Sequence, residues 1–283
     1  MTIAITGATG QLGRLAISAI RRRDPAAALV ALVRDVERAT DLGVPLRHAD
    51  YHQSETLAPA LAGIGTLVLI SSSDFNDRAG QHARVIDAAK AAGVRRIVYT
   101  SILKGDASPL LLATDHIVTE AALAASGIPA TILRNGWYTE NYTDALGAAL
   151  EAGAIIGAAG EAVLNTAPRA DYAEALAVAA LDDATAGQTF ELAGQGHSLA
   201  DLAAEVSRQT GRDIPYLDMD EASYRETLVS FGVPAAMAAA VADADAKARD
   251  TGALRDDSGA LARLIGRPAT PLAESVAKAL AKL

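Results

Sequence analysis

Residues 1–135 alternate between short β-branched runs and longer amphipathic stretches, a rhythm that few folds accommodate. Thr2–Thr6, Leu29–Val33, Leu46–Ala49, Thr66–Ile70, Arg96–Thr100 and Ala130–Leu133 read as strands. Gln11–Arg23, Ser54–Ala62, Asp77–Ala92 and Ala113–Ser126 read as the helices between them. The punctuation agrees. Asp24-Pro25 stops the first helix, Gly93 ends the one at Ala92, and Gly127-Ile128-Pro129 separates the last helix from its strand. Strands apolar on both faces and separated by helices make a parallel sheet covered on both sides. The expected fold is therefore α/β, a Rossmann-type doubly wound parallel sheet.

After Arg134 the rhythm changes. A helix over Asp171–Leu181 and a strand over Thr189–Leu192 are expected to return to the sheet. The expected organisation is a dinucleotide-binding core of residues 1–134 with 169–193, and a smaller, mostly helical lobe of residues 135–168 and 194–283. Only 4% of the residues are aromatic while 51% are hydrophobic, so the core is built from Ala, Leu, Val and Ile. Such small side chains let helices lie close on a sheet.

Composition also excludes several functions. With 25 Lys and Arg against 34 Asp and Glu the net charge is −9, and the densest basic run is Arg21–Arg23, so a nucleic-acid partner is not expected. With no cysteine there is no disulfide framework, thiolate zinc site, iron–sulfur cluster or cysteine nucleophile. The five histidines are scattered without ligand spacing, so no metal is expected. No secretory leader pattern and no apolar run of about 20 residues is present, which points to a cytoplasmic chain with no membrane partner.

The strongest chemical signal is Gly7-Ala8-Thr9-Gly10-Gln11-Leu12-Gly13, directly after the first strand and opening the first helix. Gly7 permits the tight turn, Gly10 lets a pyrophosphate approach the backbone, and Gly13 lets the helix pack closely on the sheet. The N–H groups near Gln11 and Leu12, at the positive end of the helix dipole, suit a dianionic pyrophosphate. The spacing is G-x-x-G-x-x-G rather than G-x-G-x-x-G, and the alternative is a purely structural strand-to-helix turn.

At the end of the second strand, where an acid would bind a ribose diol, stands Arg34, which suits the 2′-phosphate of NADPH. The alternative is a solvated Arg at a strand end beside Asp35. Asp50 after the third strand is placed to reach the adenine amino group or to cap the next helix. Ser71, Ser72 and Ser73 after the fourth strand line the ribose and nicotinamide path or form a helix-entry loop.

No Tyr is followed four residues later by Lys, so the proton-donating Tyr-x-x-x-Lys pair of the standard short-chain dehydrogenases is absent. His116 falls where the lysine would stand and Leu112 where the tyrosine would. Reduction of a carbonyl to an alcohol wants a tuned acid; a quinone carries its own electron sink and depends more on orientation. His116 is one candidate catalytic group, although with Glu120 four residues on it also reads as a surface ion pair.

The last cluster is Arg134-Asn135-Gly136-Trp137-Tyr138-Thr139-Glu140-Asn141-Tyr142, which holds the only tryptophan and two of seven tyrosines. In an aromatic-poor chain this reads as a pocket for a flat acceptor, with an aromatic plug as the alternative.

The glycine loop, Arg34, Ile70-Ser71-Ser72-Ser73, the helix with HxxTE and above all LRNGWYTENY resemble the NmrA-like branch of the atypical short-chain dehydrogenases, over essentially the whole chain. The resemblance implies NADPH bound by Gly7, Thr9, Gly10, Gln11, Leu12, Gly13 and Arg34, with Asp50, Ser71, Ser72 and Ser73 along its path. It further implies that Asn135, Gly136, Trp137 and Tyr138 border the nicotinamide. Trp137, Tyr138, Asn141 and Tyr142 are then the acceptor-binding residues, with Tyr138 and His116 the candidate catalytic ones. The implied activity is flavin-free and metal-free hydride transfer from NADPH to a quinone. Reduction of triphenylmethane-type dyes and NADP(H) sensing without turnover are the alternatives, and the oligomeric state is left open.

Overall fold

The computed structural model describes residues 1–283, which divide into two compact units. The first comprises residues 1–105, 114–135 and 169–190; the second comprises residues 106–113, 136–168 and 191–283. Residues 106–113, read above as part of the nucleotide-binding core, thus fall in the second unit. No helix is long and apolar enough to cross a membrane.

The first unit is built on β1 (Ile3–Ile5), α1 (Gln11–Arg23), β2 (Leu29–Val33), β3 (Leu46–His48), α2 (Ser54–Leu61), β4 (Thr66–Leu69), α3 (Arg78–Ala91), β5 (Arg96–Ile102), α4 (Ala113–Ser126) and β6 (Ala130–Asn135). Further along the chain come α7 (Arg169–Leu181) and β9 (Thr189–Leu192), the last two residues of which are counted with the second unit. The sheet order is β3-β2-β1-β4-β5-β6-β9, and β1 to β6 pair in parallel. The chain moves outward from β1 in one direction and from β4 in the other, so the topological switch lies between β1 and β4. That is the Rossmann-type, doubly wound arrangement the alternating runs implied.

Period-two alternation sends the strand residues to opposite faces. Ala4, Val30, Leu32, Leu67, Leu69, Ile97, Tyr99 and Ile132 meet Leu57 and Leu61 of α2, Val85, Ile86 and Ala89 of α3, and Leu123 of α4 in one buried core. On the other face α1 packs against α7, and both contacting surfaces are rich in buried alanine: Ala16 and Ala19 of α1, Ala173, Ala177 and Ala180 of α7. Arg96 fastens α7. Its guanidinium is buried and donates to the carbonyls of Ala180 (2.7 Å) and Asp182 (2.7 Å) at the helix end.

The second unit contains α5 (Glu140–Thr143), α6 (Leu146–Ala152), β7 (Ile155–Gly157), β8 (Leu164–Asn165), β10 (Gly196–His197), α8 (Leu199–Thr210), β11 (Tyr216–Asp218), α9 (Glu221–Ser230), α10 (Ala235–Thr251), α11 (Ala260–Ile265) and α12 (Leu272–Leu280). Its strands form two small pairs, β7 parallel to β11 and β8 antiparallel to β10. Asp245 lies in the Ala-rich α10, fully buried. Its carboxylate accepts the Tyr142 hydroxyl (2.6 Å) and the Ala158 N–H (3.0 Å). The expectation that Tyr142 receives an acceptor is thereby corrected: its hydroxyl is spent on Asp245 and its ring is buried.

Burial pushes the Asp245 carboxyl up to about 6, with nearby Asp218 acting in the same direction and the two hydrogen bonds only partly offsetting it. A carboxyl that holds its proton more tightly when folded makes the folded state bind more protons between the unfolded value near 4 and about pH 6. Stability from this group is therefore greatest below that window and lost as pH rises through it. The melting temperature of the wild type relative to Asp245→Asn is expected to fall between pH 4 and 6.5 and then level off. The full change is about 3 kcal/mol. A difference that stays flat with pH in thermal melts would contradict this account of Asp245.

Candidate dinucleotide-binding edge

The glycine loop leaves β1 through Gly7 at φ +59°, a backbone conformation that side chains resist. Gly10 N–H then closes the turn onto Gly7 O at 3.0 Å, and Gly10 itself caps α1 in an extended conformation. No side chain caps α1 and its first turn carries no acid. The positive helix end is therefore offered outward at the exposed Thr9, Gly10 and Gln11, while Leu12 and Gly13 are buried behind it. A Cβ on Gly13 would stand 2.2 Å from Gly7 O and 2.7 Å from Ala8 Cα. Gly13 is thus required for the helix to approach the turn itself, not the sheet as the spacing alone implied.

Arg34, just after β2, is exposed, and no carboxylate pairs with it. The neighbouring Asp35 accepts instead from the Arg38 N–H (3.2 Å) and lies 3.4 Å from the Arg38 guanidinium. Asp35 is thus engaged with Arg38, and the exposed Arg34 guanidinium is open to a phosphate as well as to solvent. Asp50 Oδ1 accepts the His52 N–H (2.9 Å) in the turn before α2, whose N-cap is Gln53 without a side-chain cap, so the alternative that Asp50 caps that helix is corrected.

The end of β4 is held by side chains rather than by strand pairing. Thr6 Oγ1 accepts the Ile70 N–H (3.0 Å), and Thr100 Oγ1 accepts the Ser71 N–H (2.9 Å). Ser72 is engaged at every polar group, its hydroxyl donating to Gln81 Oε1 (2.7 Å) and accepting from the Asp74 N–H (3.2 Å). The Ser72 hydroxyl is thereby engaged within the protein, in keeping with the helix-entry-loop alternative, and Ser73, next in the chain, is exposed.

His116 is neither at the surface nor paired with Glu120. Its Nδ1 lies 2.8 Å from the buried Tyr99 hydroxyl, and burial, reinforced by Arg78 and His82, pulls its pKa down to about 3. A ring neutral at every physiological pH is no general acid, so the reading of His116 as a catalytic group is corrected. Glu120 instead takes a two-pronged contact from Arg134 (3.0 and 2.7 Å) and the Ser101 hydroxyl (2.5 Å). That network was not anticipated, nor was the left-handed Lys104 (φ 68°) at the end of β5. Gly105 beside it allows the Arg134 guanidinium to lie where a Cβ would be, at 2.1 Å.

Asn135 ends β6 with its Oδ1 buried and without a hydrogen-bond partner. A buried acceptor left unmade costs about 1–3 kcal/mol, which a ligand donor would recover. In the second unit Gly136, Tyr138 and Asn141 are half-buried, whereas Trp137 is buried. Tyr138 forms a short parallel bridge with Ala167, closed by Thr139 N–H on Ala167 O (3.0 Å) and Ala167 N–H on Trp137 O (3.2 Å).

The sequence profile of the NmrA-like family matches residues 1–277. Quinone oxidoreductase 2 of Escherichia coli (strain K12) is 49% identical over 278 residues, 97% of each chain. The crystal structure of the NADPH-dependent quinone oxidoreductase of Escherichia coli complexed with NADPH superposes with a TM-score of 0.94 at 48% identity, covering 98% of this chain and 99% of that one. Triphenylmethane reductase of Citrobacter sp., complexed with NADP(H), gives 0.92 at 36% identity over 98% and 99% of the two chains.

The crowding at Gly13 makes a direct prediction. Gly13→Ala drives a methyl into the Gly7 carbonyl, so the turn must open, at a cost of about 1–3 kcal/mol. Differential scanning fluorimetry is expected to show a lower melting temperature, and an unchanged one would refute the close-approach reading.

Proposed function

The chain belongs to the NmrA-like family, and from that premise we propose that it is an NADPH-dependent quinone oxidoreductase, transferring hydride to the acceptor without flavin or metal. The observation that carries the choice of cofactor is Arg34: an unpaired guanidinium at the end of β2, one strand from the glycine turn. The residues present fit a phosphorylated dinucleotide. An uncapped helix N-terminus faces outward, a glycine turn has no room for side chains, and Asn135 Oδ1 is a buried acceptor in want of a donor.

When bound, NADPH supplies the hydride. The chain's part is to bind and orient. Backbone N–H groups at Gln11 and Leu12 receive the pyrophosphate, Arg34 the 2′-phosphate, and Asn135 Oδ1 a donor of the nicotinamide end. Of the second unit, the half-buried Tyr138 and Asn141 are assigned to the flat acceptor. No proton donor tuned to neutral pH accompanies them, because His116 is held neutral and the Tyr99 hydroxyl is raised far above its ordinary range by burial. This supports an acceptor whose reduced form is a stabilised anion that water can protonate, as in a quinone.

Two measurements test the reading. Purified protein is expected to oxidise NADPH when a benzoquinone or naphthoquinone is added and not in the absence of an acceptor. Turnover with triphenylmethane dyes alone would move the assignment to dye reduction, and no turnover in the whole series would contradict it. Arg34→Ala is expected to erase a preference for NADPH over NADH of roughly 10- to 150-fold while sparing NADH kinetics, since a charge-assisted contact is worth about 1.5–3 kcal/mol. An unchanged NADPH/NADH ratio of kcat/KM would remove Arg34 from the 2′-phosphate.

A further inference from the structure

Three side chains on one face of α3 close on a single residue of the loop after β4. Arg78 Nε donates to the Ser72 carbonyl (2.6 Å), Gln81 Oε1 accepts the Ser72 hydroxyl (2.7 Å), and His82 Nε2 accepts the Ser72 N–H (3.0 Å). Positions 78, 81 and 82 stand at i, i+3 and i+4 of a helix, and all three residues are buried. The next layer fixes the histidine. Because Nε2 accepts a backbone N–H, the proton sits on Nδ1, which donates to Thr119 Oγ1 (2.9 Å); that hydroxyl donates in turn to the Asp115 carbonyl (2.7 Å). Burial and the neighbouring Arg78 pull the His82 pKa down to about 4, so the ring stays a neutral acceptor.

The place of this clamp follows from the sheet order. β1 lies between β2, which ends at Arg34, and β4, which ends at the serine loop. A dinucleotide with its 2′-phosphate at Arg34 and its pyrophosphate over the N-terminus of α1 lays its nicotinamide half toward β4. The Ser71 and Ser72 N–H groups bond to side chains rather than to a strand, so that half meets a backbone whose path is set from α3 and β5.

We propose that His82 is a positioning residue for the nicotinamide half of the cofactor, holding the Ser71–Ser73 backbone in place through the Ser72 N–H. The proposal rests on the NADPH reading above.

Calorimetry with two probes tests it: NADP⁺, and adenosine 2′,5′-bisphosphate, which lacks the nicotinamide half. His82→Leu is expected to weaken NADP⁺ about tenfold while leaving the bisphosphate within about twofold. His82→Gln, whose Oε1 can accept the Ser72 N–H, is expected to recover most of the loss. Unchanged NADP⁺ affinity in His82→Leu, or equal weakening of both probes, overturns the proposal. If the leucine variant does not fold, His82→Met, whose unbranched side chain fills the same space and is at most a weak acceptor for the Ser72 N–H, takes its place. It should weaken NADP⁺ severalfold and spare the bisphosphate, and unchanged NADP⁺ affinity there is equally fatal. A wild type that binds the bisphosphate but not NADP⁺ also overturns it, whereas a wild type that binds neither overturns the NADPH reading itself.

Discussion

The contact on which the nucleotide edge depends is the approach of the first turn of α1 to the carbonyl of Gly7. It is possible only because position 13 has no side chain, and it brings the uncapped N-terminus of α1 to the tip of β1. Everything proposed for the cofactor is arranged about that tip. Arg34 lies on the β2 side and the clamped serine loop on the β4 side, because parallel strands joined by right-handed crossovers deliver their C-terminal ends to one edge. The charge of −9 makes a polyanion harder to attract at long range, so binding must rest on these local positive features.

The chemistry follows from what that edge withholds. Ionisable groups beneath it are kept in their uncharged forms: His82 and His116 by burial beside Arg78, Tyr99 by burial alone in the main. A short-chain dehydrogenase that reduces carbonyls needs a donor in such a place. Here the same positions fix loops and tautomers, which leaves the electron demand of the reaction to the acceptor.

Much of the first unit was legible in the sequence. Gln11–Arg23, Leu29–Val33 and Ala113–Ser126 have the bounds that their hydrophobic patterns implied, because each is a long helical run or, for Leu29–Val33, a stretch buried on both faces. The second unit was less so. β8 and β10 have two residues each and are held by tertiary pairing, which leaves no period to read. Asp245, in an Ala-rich helix beside Asp243, has the look of a solvated acid, and only the fold brings Tyr142 onto it. His116 and Glu120 stand four apart as an ion pair would, yet each finds a partner on a different strand, β5 for the histidine and β6 for the glutamate. His82 carried no local signal at all, since the residue it holds lies ten positions earlier across a loop.

The central claim is that this chain binds and orients a nicotinamide and a quinone without supplying a titrating acid. The pH profile of kcat/KM for quinone reduction by NADPH tests it most directly, between pH 6.5 and 8.5, above the window in which Asp245 titrates. The account predicts a flat profile, because neither buried histidine changes charge in that range. An acid limb near pH 7 that disappears in a His116 or His82 variant would contradict it.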